Sequence, residues 1–240
     1  MVPESAATAF EVAVLVPAFN EEPSVGQAVT NALGIPYVER VVVVDNGSTD
    51  GTARVARAVG AEVGSEPRRG YGQACLTGIR HLSTQPPRAL LFMDADLADD
   101  PDDGPRLLAP LKCNTADLVI GSRVERAEPG ALTPQARFGN WLSGHLLHLL
   151  YGVSATDLGP FRAVEWEALR RLNMNDTDFG WTVQMQARAA RLGLRTMEIP
   201  VNYRPRVGQS KISGTFTGSF KAGTKILWTL ARERWTDPPG

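Results

Sequence analysis

"VVVVDNGSTDGT", residues Val41–Thr52, holds a whole strand-to-helix transition. Four consecutive valines, bounded by turn residues, have the pattern of a short strand covered on both faces. Asn46-Gly47 supplies a turn, and Ser48, Thr49 or Asp50 can cap the helix that follows. Capping accounts for Ser48 to Gly51. It does not account for Asp45, a strand-end carboxylate that calls for a partner such as a nucleoside base or a ribose.

The same unit recurs on both sides of this stretch. "VAVLVP" (Val12–Pro17), "ALLFMD" (Ala89–Asp94) and "DLVIG" (Asp117–Gly121) repeat the short apolar run. Helical patterns at Pro23–Ala32, Thr52–Val59, Tyr71–Leu82 and Pro105–Leu111 alternate with them. This rhythm predicts an α/β fold with a mostly parallel central sheet flanked by helices. Ligands of such sheets sit beyond the carboxyl ends of the strands, so the polar residues after each run are the candidates for chemistry.

The bulk numbers set outer bounds. The chain has 240 residues, 43% hydrophobic, and a net charge of -1, so no overall field favours nucleic acid. Cys75 and Cys113 form no disulfide or zinc framework and suit a reducing cytosol. No apolar run is long enough for a membrane span, and the first residues lack the basic start of a signal peptide.

The second half reads differently. Residues 121–134 are a charged loop, "ARFGNWLSGHLLHLLYG" is a helix, and "DLGPFRA" reads as a tight connection. "GWTVQMQARAARLGL" is a helix ending near Gly193, and "RTMEIPVNYRPR" an edge strand because of its prolines. "GQSKISGTFTGSF" reads as a flexible loop and "KAGTKILWTLARERW" as a final amphipathic helix.

Six aspartates fall within ten residues of "MDADLADDPDD". Residues two apart on an extended chain project to one side, so Asp94 and Asp96 would share a face past the strand tip. A hard divalent cation relieves their repulsion and takes phosphate oxygens as its other ligands. Asp99 to Asp103 read instead as a solvated turn and helix cap. "RRGYGQ" lacks the third glycine of a dinucleotide fingerprint and reads as a glycine-rich helix start near a ligand, with Arg68 and Arg69 close by. Arg123, Arg137, Arg162, Arg204, Arg206 and Lys211 lie in or beside loops, and as a set could bind a diphosphate or a phosphate acceptor.

"VLVPAFNEE", "VVVVDNGSTDGT", "RRGYGQACLTGI", "FMDADLADD", "VIGSR", "DLGPFRA" and "RVGQSK" occur in this order. Together they resemble family 2 glycosyltransferases of the GT-A fold, above all the dolichyl- or polyprenyl-phosphate mannose and glucose synthases. The resemblance implies one catalytic domain over 1–240, with a nucleotide-sugar half at 12–121 and an acceptor half at 122–240. It implies that Pro17, Asn20, Glu22 and Asp45 line the nucleotide pocket and that Asp94 and Asp96 hold Mg²⁺ or Mn²⁺ on the donor diphosphate. Arg123 and Arg137 would bind donor or acceptor phosphate, with Arg206 (or Arg204) and Lys211 as phosphate clamps. Two departures stand out. Ala98 replaces a glutamine common after D-A-D-L, leaving an extra water or Asp99 to complete the metal's ligands. Asp157–Arg162 lacks the serine of D-x-x-S-G-F.

The expectation is hexose transfer with inversion from a donor of the GDP-mannose or UDP-glucose type. The expected acceptor is a polyprenyl phosphate, and the expected location is cytoplasmic, peripheral at the inner membrane face. A second copy of the chain is a possible partner. An anionic lipid phosphate needs no general base, whereas a soluble hydroxyl acceptor does. For the base Asp178 is the first candidate and Asp176 the second, against capping of the next helix. Two other classes compete. A sugar-phosphate nucleotidyltransferase would want a glycine- and lysine-rich loop where "PAFNEEPS" stands. Intact Asp94, Asp96, Arg123 and Lys211 argue against a non-catalytic nucleotide-binding module.

Overall fold

The computed structural model describes residues 10–207 and 216–236, with 216–222 by their backbone only. The first half alternates as expected. Strands β1 (Val12–Ala18), β2 (Val38–Asp45), β3 (Glu62–Ser65) and β4 (Ala89–Phe92) are separated by helices α1 (Val25–Leu33), α2 (Thr52–Ala58) and α3 (Tyr71–Leu82). Next come α4 (Gly104–Lys112), β5 (Leu118–Ser122), α5 (Pro134–Tyr151), β6 (Arg162–Glu165) and α6 (Trp166–Leu172). The chain continues through α7 (Trp181–Arg191), β7 (Thr196–Pro200) and α8 (Phe216–Trp235).

The described strands form one sheet in the order β3-β2-β1-β4-β6-β5-β7. β6 alone runs against its neighbours β4 and β5. The pleat explains why the strand sequences are apolar throughout. Val14 and Val16 of β1, with Val41 and Val43 of β2, face a core completed by Val25 and Val29 of α1 and Leu107 and Leu111 of α4. Leu15, Val42 and Val44 face the opposite core, built with Cys75 and Leu82 of α3 and with Trp181 and Met185 of α7. Both faces are therefore dry, and only the strand ends can carry function.

Three readings of the sequence are corrected. "DLGPFRA" is not merely a connection, because Arg162 begins β6 in the middle of the sheet. No apolar run marked this strand: it is four residues long and opens on a charge. Arg162 is 1% exposed and donates to the carbonyls of Gly159 and Thr182, so it is a structural arginine and not a phosphate ligand. Its burial pushes it down to about 10. The final helix begins at Phe216, which takes residues 216–220 from the expected loop.

Candidate active site

The carboxyl ends of β1, β2 and β4 open onto a cavity of about 510 Å³. Pro17, Ala18 and Phe19 line it from β1, Asn46 from the residue after β2, and Asp94, Ala95 and Asp96 from the segment after β4. Arg69, Gly70, Tyr71 and Ala74 contribute from the start of α3. Asp178, Phe179 and Arg206 close it from the second half of the chain.

Asp94 and Asp96 both reach the cavity, but not on an extended chain. The segment turns, with Asp96 Oδ1 accepting the Ala98 N–H at 3.1 Å and Leu97 in the left-handed region at φ 62°. The Asp94 N–H donates to Asp99 Oδ2 at 3.2 Å. Burial and the charges of Asp96 and Asp99 hold the Asp94 carboxyl well above the usual range. Burial, then Asp96, pushes Asp99 up to about 7. The expected solvated turn at Asp99–Asp103 is corrected: Asp99, Asp100 and Asp103 are buried. Asp100 accepts from the Asp102 N–H, pairs with Arg204 at 2.6 Å, and so ties the turn to the second half. Asp103 takes Arg106 and the Asn202 N–H. These carboxylates are spent inside the fold because the 202–207 strap lies across them.

That strap follows the acidic turn closely. Tyr203 bridges Asp99, the Arg204 N–H donates to Ala98 O, and the Val207 N–H donates to Asp96 O. Arg206 Nη1 thereby stands 3.3 Å from Asp96 Oδ2. Lys211 lies outside the described residues.

Other predicted residues sit elsewhere. Arg123 is locked by Asp157, with Nε and Nη2 at 2.7 Å from its two oxygens, and it lies 4.9 Å from the Tyr203 ring. Arg137 is exposed on α5. Neither lines the cavity. Asn20 and Glu22 hold the loops after β1 and β2 together: Asn20 Oδ1 accepts the Thr49 N–H, and Glu22 Oε2 the Gly51 N–H. Asp45 Oδ1 accepts the Ser48 N–H at 3.0 Å, a partner in its own turn, while the next residue, Asn46, faces the cavity.

Asp178 does line the cavity and does not cap α7, whose N-cap position is Gly180. Burial, then the neighbouring Asp176, raises its carboxyl above the ordinary value, and Lys225 opposes the rise. Arg69, expected close to a ligand, does line the cavity, whereas Phe19, Asn46, Tyr71 and Phe179 carry no sequence signal of a site role. Arg69 stacks over Phe19 at 3.4 Å, a pair brought together from two motifs only by the sheet. The glycines of "RRGYG" have a packing reason as well. A Cβ at Gly72 would sit 2.1 Å from the Asp176 carbonyl oxygen, and one at Gly70 2.1 Å from that of Thr177.

Among the described residues no group of three or more His, Cys, Asp or Glu is placed to hold a metal. Asp99 therefore does not complete a protein-only ligand set. Asp94, its proton affinity raised by burial and by the neighbouring Asp96, still fits together with Asp96 a hard cation that takes its remaining ligands from phosphate and water.

The family model described as "Glycosyl transferase family 2" matches residues 13–172. An uncharacterized glycosyltransferase of Mycobacterium tuberculosis is 39% identical over 213 residues, covering 88% of this chain and 94% of its own. An undecaprenyl-phosphate mannosyltransferase of Micrococcus luteus is 32% identical over 238 residues, 93% and 96% of the two chains. Among solved structures, glucosyl-3-phosphoglycerate synthase from Mycobacterium tuberculosis, in complex with Mn²⁺, UDP and glucosyl-3-phosphoglycerate, superposes with a TM-score of 0.74 at 24% identity. The match covers 95% of this chain and 81% of that one.

Proposed function

The chain belongs to glycosyl transferase family 2 and is a GT-A glycosyltransferase, and from that premise we propose that it moves a hexose from a nucleotide-diphosphate sugar to a polyprenyl phosphate. The observation that carries this reading is the cavity in which Asp94 and Asp96 face Arg206 beyond the ends of β1, β2 and β4. Likeness to the undecaprenyl-phosphate enzyme over nearly its whole length supports the acceptor.

Pro17, Phe19, Asn46 and Arg69 would take the nucleoside, with the Arg69 guanidinium and the Phe19 ring offering flat faces to a base. Asp94 and Asp96 would hold Mg²⁺ or Mn²⁺, which when bound neutralises charge on the diphosphate. Arg206, already against Asp96, is placed to add its own charge as the leaving group forms. An acceptor phosphate oxygen attacks the anomeric carbon from the far side. The bond to the diphosphate breaks with its electron pair, and the sugar inverts. No proton need be removed.

A membrane-surface position suits a lipid acceptor. No helix among the described residues is long and apolar enough to cross a membrane. Yet Phe138, Trp141 and Leu149 are exposed on α5, a helix without a single acid, and Leu227, Trp228 and Trp235 are exposed on α8. A second reading, transfer to a soluble hydroxyl, is favoured by one observation: Asp178, a carboxyl of raised proton affinity, lines the cavity where a base would be needed.

The test uses radiolabelled GDP-mannose and UDP-glucose with Mn²⁺, a polyprenyl phosphate and the purified protein. Label entering the organic phase only with metal supports the proposal. Label appearing only in a water-soluble product, or nowhere, overturns it.

A further inference from the structure

We propose that Lys225 and Glu233 of α8, acting with Gln184 and Arg188 of α7, are positioning residues for the cavity wall at Asp176–Phe179. The C-terminal helix would then set the acceptor side of the site without touching substrate. The inference rests on the reading of the cavity as the transfer site.

The wall segment joins α6 to α7 and has no regular structure of its own. Its backbone is held from two sides. On one side Thr177 O accepts the Gln73 N–H of α3 at 2.9 Å. On the other, Gln184 Oε1 accepts the N–H groups of Asn175 and Asp176 at 3.1 and 2.8 Å. Gln184 is fully buried, and its amide nitrogen donates to Asn175 Oδ1 and to Glu233 Oε1. Arg188 completes the ring: Nε and Nη2 meet Glu233 at 2.7 and 3.1 Å, and Nη2 also meets Asn175 Oδ1. Without Glu233 a buried guanidinium and a buried amide would each lose a partner, and those two side chains orient the start of the wall.

Lys225 acts one bond closer. Its Nζ pairs with Asp176 Oδ2 at 3.1 Å, and Asp176 Oδ1 accepts the Asp178 N–H at 2.9 Å. Asp176 is 2% exposed, so its carboxylate depends on that cation. The chain of contacts runs Lys225, Asp176, Asp178 amide, cavity. Lys225 also lies 5.1 Å from the ring of Trp228, which faces solvent from the same helix. The exposed aromatic face of α8 and the wall of the site therefore share a residue.

The experiment compares the wild type with Lys225→Met, Lys225→Arg and Glu233→Gln by amide hydrogen exchange and by transfer kinetics. Lys225 is partly exposed and methionine keeps most of its apolar stem, so Lys225→Met is expected to fold, which a cooperative urea transition checks. In Lys225→Met, exchange in the 173–181 segment should speed up while β1, β2 and β4 stay protected. Its kcat should fall about tenfold to a hundredfold with donor KM nearly constant, as expected of a displaced acceptor wall. Lys225→Arg should restore both. Glu233→Gln should loosen the same segment. Unchanged exchange in Lys225→Met, loosening spread evenly over the whole sheet, or no rescue by arginine overturns the inference. A wild type that transfers to no acceptor sinks the functional reading instead, and the exchange data still decide this one.

Discussion

Asp45, Asp94 and Asp178 are three acids at the same edge of the molecule, and their surroundings assign them different work. Asp45 is satisfied by the Ser48 N–H in its own turn. Asp94 is buried and crowded by Asp96 and Asp99, which raises its proton affinity and makes a divalent cation welcome. Asp94→Asn should therefore abolish the thermal stabilisation by Mn²⁺ and lower transfer about a hundredfold or more, the loss of several kcal/mol of charge neutralisation. Near-normal turnover by that variant would defeat the metal assignment. Asp178 is raised by burial and by Asp176. If it serves as a base, it must be ionised, so the rate falls as pH drops through its raised value, earlier than for an ordinary carboxyl. Asp178→Asn should then flatten that limb and cost about 10²–10⁴ with a hydroxyl acceptor, but little with a phosphate acceptor. A pH–rate profile with each acceptor separates the two.

At the scale of elements, the turn after β3 is the joint between sheet and α3. Glu66 is buried there, accepting from the Arg68 N–H, Gln73 Nε2 and Thr77 Oγ1. Hydrogen bonds from Arg68 and then Thr77 pull its carboxyl down to about 2. A depressed acid stabilises the fold above its unfolded value, near 4.5, and that contribution is lost as pH falls toward about 2. Glu66→Gln should cost about 1–3 kcal/mol near neutral pH, with the difference from wild type shrinking below pH about 4 in urea titrations. An equal difference at pH 7 and pH 3 would show that the charge plays no part. β6 teaches the opposite lesson about legibility. Apolar runs announced β1 and β2, but a four-residue antiparallel strand beginning with Arg162 carries no such signal. It is a strand because β4 and β5 leave a gap for one.

Over the whole molecule, charge and exposed apolar surface are distributed unevenly. The acid-free helix α5 stacks Phe138 on Trp141 at 5.8 Å in open solvent, and α8 flanks exposed Trp228 with Lys225 and Arg232. Docking to an anionic bilayer would bury these rings and use these cations. The protein should float with phosphatidylglycerol vesicles at low salt and be released at high salt, and Trp141→Ala with Trp228→Ala should remain at the bottom of the gradient. Wild-type protein that stays down, or that forms a dimer masking Trp141, would count against a lipid acceptor. The sequence by itself determined the βα alternation, the buried runs and the acids at the tip of β4, because two-faced burial and turn chemistry are local patterns. Only the tertiary structure decided which charges are available. Arg123 and Arg206 look alike in sequence, yet one is locked on Asp157 and the other faces the cavity. Asp176 and Asp178 are two residues apart, yet one is a buried partner of α8 and the other a wall of the site. The reason is physical: the ionisation and reach of a side chain depend on neighbours distant in the chain, and the spacing of residues does not contain them.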